Sequence, residues 1–212
     1  MNIIKNSLLA STMVALVACG GEQTSNDESA ETPGSTAPIT YSHNSDSTVV
    51  KWTAFKFTEK TGVSGTFNKV DVSGTAASSH MASVYSNASF NISTGSVNSN
   101  NPDRDKKITD HFFGSMLNTD QISGKVLSIA EDKAMVSIEM NDVSKEAAFV
   151  VATSGNRLSL IGTINLGDWN ALASVDSLNT ICYDLHTGKD SISILWPDID
   201  IEITTVLNSD GE

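Results

Sequence analysis

Three stretches of this chain alternate apolar and polar residues with a period of two, and that alternation decides what it can fold into. In AMVSIEM, Ala134, Val136, Ile138 and Met140 alternate with Met135, Ser137 and Glu139. A strand with that pattern turns one set of side chains to a core and the other to water. RLSLIGTINL repeats it with Leu158, Leu160, Gly162, Ile164 and Leu166, and DIDIEIT with Ile199, Ile201 and Ile203 set against Asp198, Asp200 and Glu202.

Further strands are expected at Thr48 to Phe57, Val63 to Ser73, Val84 to Ser93, Gln121 to Ile129 and Ala147 to Thr153, with Ser191 to Thr205 last. With the three alternating runs they make about eight. EDK at 131 to 133, NDVSKE at 141 to 146 and SGN at 154 to 156 supply tight polar connections between antiparallel neighbours. Such a chain closes into a barrel or forms a sandwich. A membrane-spanning barrel is disfavoured, because the acids of DIDIE would have to line a narrow pore unpaired.

Two segments depart from this period. DRDKKITDHFF at 103 to 113 follows Pro102 and reads as a short helix with Ile108, Phe112 and Phe113 on one face, placed to cap a barrel end. Between about Leu172 and His186, the residues Leu172, Val175, Leu178, Cys182 and Leu185 fall near helical spacing, and Gly188 stands where a C-terminal cap would. This predicts an amphipathic helix lying on the barrel.

The N-terminus carries a different signal. Lys5, a short apolar region from Ile3 to Ala15, and LVAC at 16 to 19 form the pattern of an exported lipoprotein leader with a lipobox. The apolar run is shorter than the ~20 residues of a bilayer span. Residues 1 to 18 are therefore expected to be removed, leaving Cys19 as the lipid anchor, where two or more acyl chains give stable attachment. Residues 19 to 40 are rich in Gly, Ser, Thr and acids and read as a flexible tether. Roughly twenty such residues hold a domain tens of ångströms from the membrane. Gly20 after the cysteine points to the outer membrane, facing the periplasm of a bacterial envelope. Residues 41 to 212 suffice for one domain with its own core.

Composition excludes several classes. A formal charge of −12 and no basic run argue against nucleic-acid binding. With Cys19 acylated, Cys182 is the remaining thiol, so no intramolecular disulfide is expected. Cys182 reads as a small buried hydrophobe. No nucleophile elbow, HExxH, phosphate-cradling glycine loop or CxxC occurs, and the four histidines lack a nucleophile partner. The expectation is a non-enzyme without a cofactor. Cys182, Asp184 and His186 are close enough in sequence to approach a metal, but they make an incomplete site, and His80 and His111 are poorly placed to complete it. No metal is assigned.

Several motifs together resemble a known family. VVKWTAFKFTEKTGVSGTFNKV is similar to the first hairpin of the YceI-like proteins, an aromatic strand followed by Gly-x-Phe. SFNISTGSVNSNNPDRDKKITDHFF resembles that family's strand, polar stretch, Arg-Asp pair and helix ending in Phe. EMNDVSKEAAFVV and LIGTINLGDWNA are similar to its later hairpin and penultimate strand, so that the likeness runs in order from about residue 47 to 170. It implies an all-β, eight-stranded, lipocalin-like antiparallel barrel whose apolar interior holds a polyisoprenoid, an isoprenoid quinone or a similar amphiphile. CYDLHTGKD and the helix before it depart from the simpler members as an insertion of some twenty residues.

The candidate ligand lining is Trp52, Phe57, Val63, Phe67, Phe90, Ile92, Val126, Val136, Ile138, Phe149 and Leu160, each on an apolar strand face or matching the family pattern. Phe112 and Phe113 join them from the capping helix. Each of these is also a residue that a barrel would turn inward without any ligand. Arg104 and Asp105 match the family's pair and suit a salt bridge, a helix cap or contact with a polar head. The expected function is that of an envelope lipoprotein carrying a long isoprenoid in a barrel cavity. A filled barrel acting as a scaffold is the alternative, and a metal-assisted enzyme using Cys182 and His186 is a more distant one.

Overall fold

The computed structural model of the chain describes residues 38–210, so the Cys19 lipobox and most of the 19-to-40 tether lie outside the described residues. Twelve strands follow one another: β1 (Thr40–Ser42), β2 (Val49–Lys56), β3 (Thr61–Phe67), β4 (Val70–Ser73), β5 (Ser89–Ser93), β6 (Val97–Asn98), β7 (Gln121–Ile129), β8 (Lys133–Met140), β9 (Val143–Ser154), β10 (Arg157–Asn165), β11 (Leu195–Val206) and β12 (Asn208–Asp210). Ten of them form one antiparallel sheet in the order β4-β5-β7-β8-β9-β10-β11-β2-β3-β6. β3 and β4 are separated by only Asn68 and Lys69, and they pair with opposite ends of that order, β3 with β2 and β4 with β5. One bent segment therefore closes the sheet on itself. With Thr61 to Ser73 counted as one stave, much as the expected strand at Val63 to Ser73, and with β5 and β6, separated only by Thr94–Ser96, as another, the barrel has eight staves.

Alternation sets which residues fill the interior. Ala134, Val136, Ile138 and Met140 of β8 are all buried, as are Leu158 and Leu160 of β10. The β8–β9 hairpin is tighter than expected. Its turn is Asn141 and Asp142 alone, both at positive φ (54° and 55°), and Val143 to Glu146 already belong to β9. Two left-handed turn residues match the twist of the flanking strands. The Asn141 amide ties this tip down, accepting from the Leu117 N–H at 2.8 Å and donating to the Trp169 carbonyl at 2.9 Å.

One barrel end is closed. β1 and β12 pair across it, and His43 Nδ1, the Tyr85 hydroxyl and the Thr205 hydroxyl form a chain with spacings of 3.0 and 3.1 Å. Burial pushes the Tyr85 phenol up, so it stays a neutral hydrogen-bonding group.

Helices cover the other end. α1 (Pro102–Lys107) starts with Pro102 and is capped by Asn101, whose Oδ1 accepts from the Arg104 N–H at 3.0 Å. It runs into a wide π-helical turn at Ile108–Phe112, which swings Phe112 and Phe113 inward. The expected continuous helix from 172 to 186 is instead two, α2 (Leu172–Ile181) and α3 (Tyr183–His186), broken where Cys182 leaves helical geometry at φ −104°, ψ 20°. Its expected apolar stripe is buried only in the middle. Val175 and Cys182 are buried, Leu178 is half-buried, and Leu172 and Leu185 are 50% and 56% exposed, because the two ends project past the barrel rim. Gly188 does not cap the helix: extended Thr187 ends α3, and the Gly188 N–H bonds to the Ile192 carbonyl at 2.9 Å. Among the described residues no helix is long and apolar enough to cross a membrane.

Candidate functional site

The inward faces of the strands leave two apolar chambers in line. The distal one, about 80 Å³ beside the closed end, is bounded by Val50, Phe90, Ile92, Val126, Val136 and Leu160 among others. The proximal one, about 120 Å³ beneath the helices, is bounded by Trp52, Phe67, Phe112, Phe113, Val175 and Ile201 among others. Ile138 and Phe149, both buried, line neither chamber; Ile138 sits on β8 between Val136 of the distal wall and Met140 of the proximal wall.

Three inward rings each lie against an inward glycine on the neighbouring strand. Trp52 faces Gly65, Phe90 faces Gly124, and Phe149 lies against Gly162. A Cβ at any of the three would collide with its ring and with a backbone carbonyl, that of Asn98, Ser137 or Ala148 respectively. Glycine at these sites leaves room for a large ring against the neighbouring strand.

Beyond the proximal chamber lies a vestibule of about 330 Å³ that includes Lys56, Val63, Arg104, Lys107, Cys182 and His186 in its lining. It shares Trp52, Ala54, Ile108, Leu178 and Leu195 with the proximal chamber, so the apolar space opens into it. Its exposed rim includes Asn101, Asp103 and Leu185. The Lys56 ammonium donates to the Leu185 carbonyl at 2.8 Å. Burial, then the neighbouring Lys56 and Lys107 charges, hold the His186 imidazole down to about 4, so it is neutral near pH 7. Trp52 borders both chamber and vestibule, and its indole N–H is buried without an acceptor.

The residues singled out from sequence thus separate by place. Phe90, Ile92, Val126, Val136 and Leu160 border the distal chamber; Trp52, Phe67, Phe112 and Phe113 border the proximal one, and Val63 the vestibule. Ile138 and Phe149 are buried without bordering any of the three spaces, and Phe57 is turned away from them altogether. β2 ends at Lys56, and Phe57 adopts a left-handed conformation (φ 63°) that turns the chain away, leaving its ring under the Lys56 ammonium at 4.5 Å. It lines no cavity. The Arg104–Asp105 pair is also divided: Asp105 accepts from the Ser99 N–H at 2.8 Å and holds the loop before α1, while Arg104 faces the vestibule.

Lys56, Lys107 and His186 were not picked out as ligand-site residues from sequence. No local pattern marks Lys56 or Lys107, and His186 is marked only by its spacing from Cys182 and Asp184, since β2, α1 and α3 bring the three together from distant positions. His186 Nδ1 is engaged with the Asn179 side chain at 2.9 Å. Among the described residues no group of three or more metal-ligating side chains converges.

A closed-ended antiparallel barrel with an apolar interior, open beneath helices at one end, defines a lipocalin-like binding fold. The YceI-like domain model matches residues 41–207, and the chain belongs to that family. No curated protein matches. Among solved structures, a polyisoprenoid-binding domain from Saccharophagus degradans implicated in plant cell wall breakdown superposes with a TM-score of 0.54 at 12% identity, covering 82% of this chain and 99% of that one. BcnA of Burkholderia cenocepacia does so with a TM-score of 0.52 at 11% identity, covering 78% and 99%. At such identities the likeness is one of fold.

Proposed function

We propose that this protein is a carrier or reservoir for a long isoprenoid, a polyisoprenoid or isoprenoid quinone, or a similar amphiphile, tethered by acylated Cys19 to a bacterial envelope membrane and facing the periplasm. The observation that carries the reading is the sequence of spaces along the barrel axis: two almost wholly apolar chambers followed by a polar vestibule. A slender tail gains free energy from each methylene that it buries, about 0.8 kcal/mol, without needing a polar partner inside. The domain from the Saccharophagus relative, described as polyisoprenoid-binding, supports the same class of cargo. The action is sequestration and release, with no bond made or broken.

The chambers are smaller than the roughly 300–1,000 Å³ of most small-molecule sites. A long tail must therefore displace the side chains between them, Ile138 and Phe149 foremost. The same narrowness supports a second reading, a filled barrel serving as an envelope scaffold. Native mass spectrometry of the gently extracted chain separates the two. A carrier shows an adduct with the mass of a long isoprenoid, and its melting temperature rises when isoprenoid quinone is added. An extract without lipid, together with an unchanged melting temperature at saturating quinone, rejects the carrier in favour of the scaffold.

A further inference from the structure

The chain carries 25 acidic residues against 13 basic ones, yet the vestibule reverses that balance. Lys56 ends β2, and Arg104 and Lys107 lie one helical turn apart on α1; all three are half-buried in the vestibule wall, and Asp103 is the single carboxylate among its lining residues. Their neighbour Lys106 pairs with Asp110. Arg104 and Lys107 have no ion pair among the described residues, and Lys56 is held by the Leu185 carbonyl and the Phe57 ring, neither of which neutralises its charge. Confined like charges of this kind repel. Burial and then Arg104 lower the Lys56 ammonium, and Lys56 and Lys107 both act against protonation of His186.

We propose that the vestibule is an anion site in which Lys56, Arg104 and Lys107 take the phosphate or carboxylate head of an amphiphile whose tail lies in the proximal chamber. This rests on the carrier reading and narrows its cargo from neutral quinones to anionic amphiphiles. Charge-assisted hydrogen bonds to an anionic head relieve the mutual repulsion of the three cations, which a neutral head leaves in place. The shared wall of vestibule and chamber makes the site amphiphilic, because a head seated there has its tail directed at Ile108, Leu178 and Leu195. The insertion helps to build it: the Leu185 carbonyl fixes the Lys56 ammonium, and α3 supplies the neutral His186.

Isothermal titration of the full chain with farnesyl phosphate, farnesol, dodecanoate and inorganic phosphate tests this at pH 7. Farnesyl phosphate should bind at least about tenfold tighter than farnesol, as two or three charge-assisted contacts at a half-exposed site would give. The doubly substituted Arg104→Gln, Lys107→Gln chain should lose that preference while keeping its affinity for farnesol, and Arg104→Lys should keep most of it. Dodecanoate binding that is equally sensitive to the double substitution assigns carboxylate heads as well, and insensitivity restricts the site to phosphates. Inorganic phosphate bound as tightly as farnesyl phosphate overturns the amphiphile assignment. Farnesol bound as tightly as farnesyl phosphate overturns the anion site but leaves the carrier standing, and failure of every amphiphile overturns both.

Discussion

Trp52 and Gly65 are antiparallel partners on β2 and β3, and the indole of one occupies the space that a side chain of the other would need. Gly65→Ala would force its methyl against both the Trp52 ring and the Asn98 carbonyl, and neither the buried ring nor the paired backbone has room to yield. The variant should lose about 1–3 kcal/mol, the usual cost of overpacking a core. Urea denaturation followed by circular dichroism measures it, and wild-type stability would show that the indole is free to move. Gly95, with nothing near its missing side chain, is the control expected to tolerate the same change.

His186 links stability to pH. Its imidazole ordinarily titrates near 6.5, and burial with the Lys56 and Lys107 charges lowers it to about 4 in the folded protein. Between those values the unfolded chain binds a proton that the folded chain refuses, so stability is complete above about 6.5 and declines as the pH falls toward 4. Melting temperatures across that range should fall less steeply for His186→Gln than for wild type. Parallel curves would place the acid sensitivity elsewhere.

Leu178 belongs to α2, is half-buried and contributes to both the proximal chamber and the vestibule. Leu178→Asp should destabilise the domain by about 1–2 kcal/mol, because it puts a charged carboxylate on the apolar wall of the proximal chamber, a cost that the cations of the adjoining vestibule only partly offset. Cys182→Ser is expected to cost less. Equal melting temperatures for Leu178→Asp and wild type would show that α2 does not pack on the barrel through this residue.

Alternation made much of the barrel readable, because a period of two assigns each residue to a face wherever one side is wet. That is why Val136, Leu160 and Ile92 could be placed without coordinates, and why 63 to 73 read as one strand although it pairs in two directions. The same rule failed at Phe57, where a left-handed residue ended the strand after Lys56. Helical spacing overreached from 172 to 186, since a run of apolar residues does not reveal the break at Cys182 or that Leu172 and Leu185 overhang the rim. The vestibule was the least legible part. Lys56 and Arg104 are almost fifty residues apart, and single charges carry no period by which folding could be anticipated.

The anchor is the expectation that rests on sequence alone. Acylation requires the Cys19 thiol, so Cys19→Ala should abolish incorporation of a fatty-acid analogue in metabolic labelling and leave the leader uncleaved or the protein released. A labelled mutant chain would show that the lipid is attached elsewhere. In a double-membraned host, fractionation should recover the wild-type chain with the outer membrane, given Gly20 after the anchor.

Ile138 stands between the two chambers, so on the carrier reading it should separate short cargo from long. A tail that reaches only the proximal chamber need not pass it, whereas a long isoprenoid must push it and Phe149 aside to enter the distal space. Each buried methylene contributes about 0.8 kcal/mol, so excluding several of them outweighs the loss of any one contact. Ile138→Trp should accordingly block retention of a long isoprenoid while leaving farnesol binding close to wild type. Val136→Phe, which fills the distal chamber itself, should do the same, and Phe57→Ala, outside both chambers and the vestibule, should change neither. Circular dichroism must show both filled variants folded, since the added bulk can cost about 1–3 kcal/mol. If folded Ile138→Trp still co-purifies with a long isoprenoid, the tail does not run along the barrel axis, and the two chambers are packing voids in a filled core.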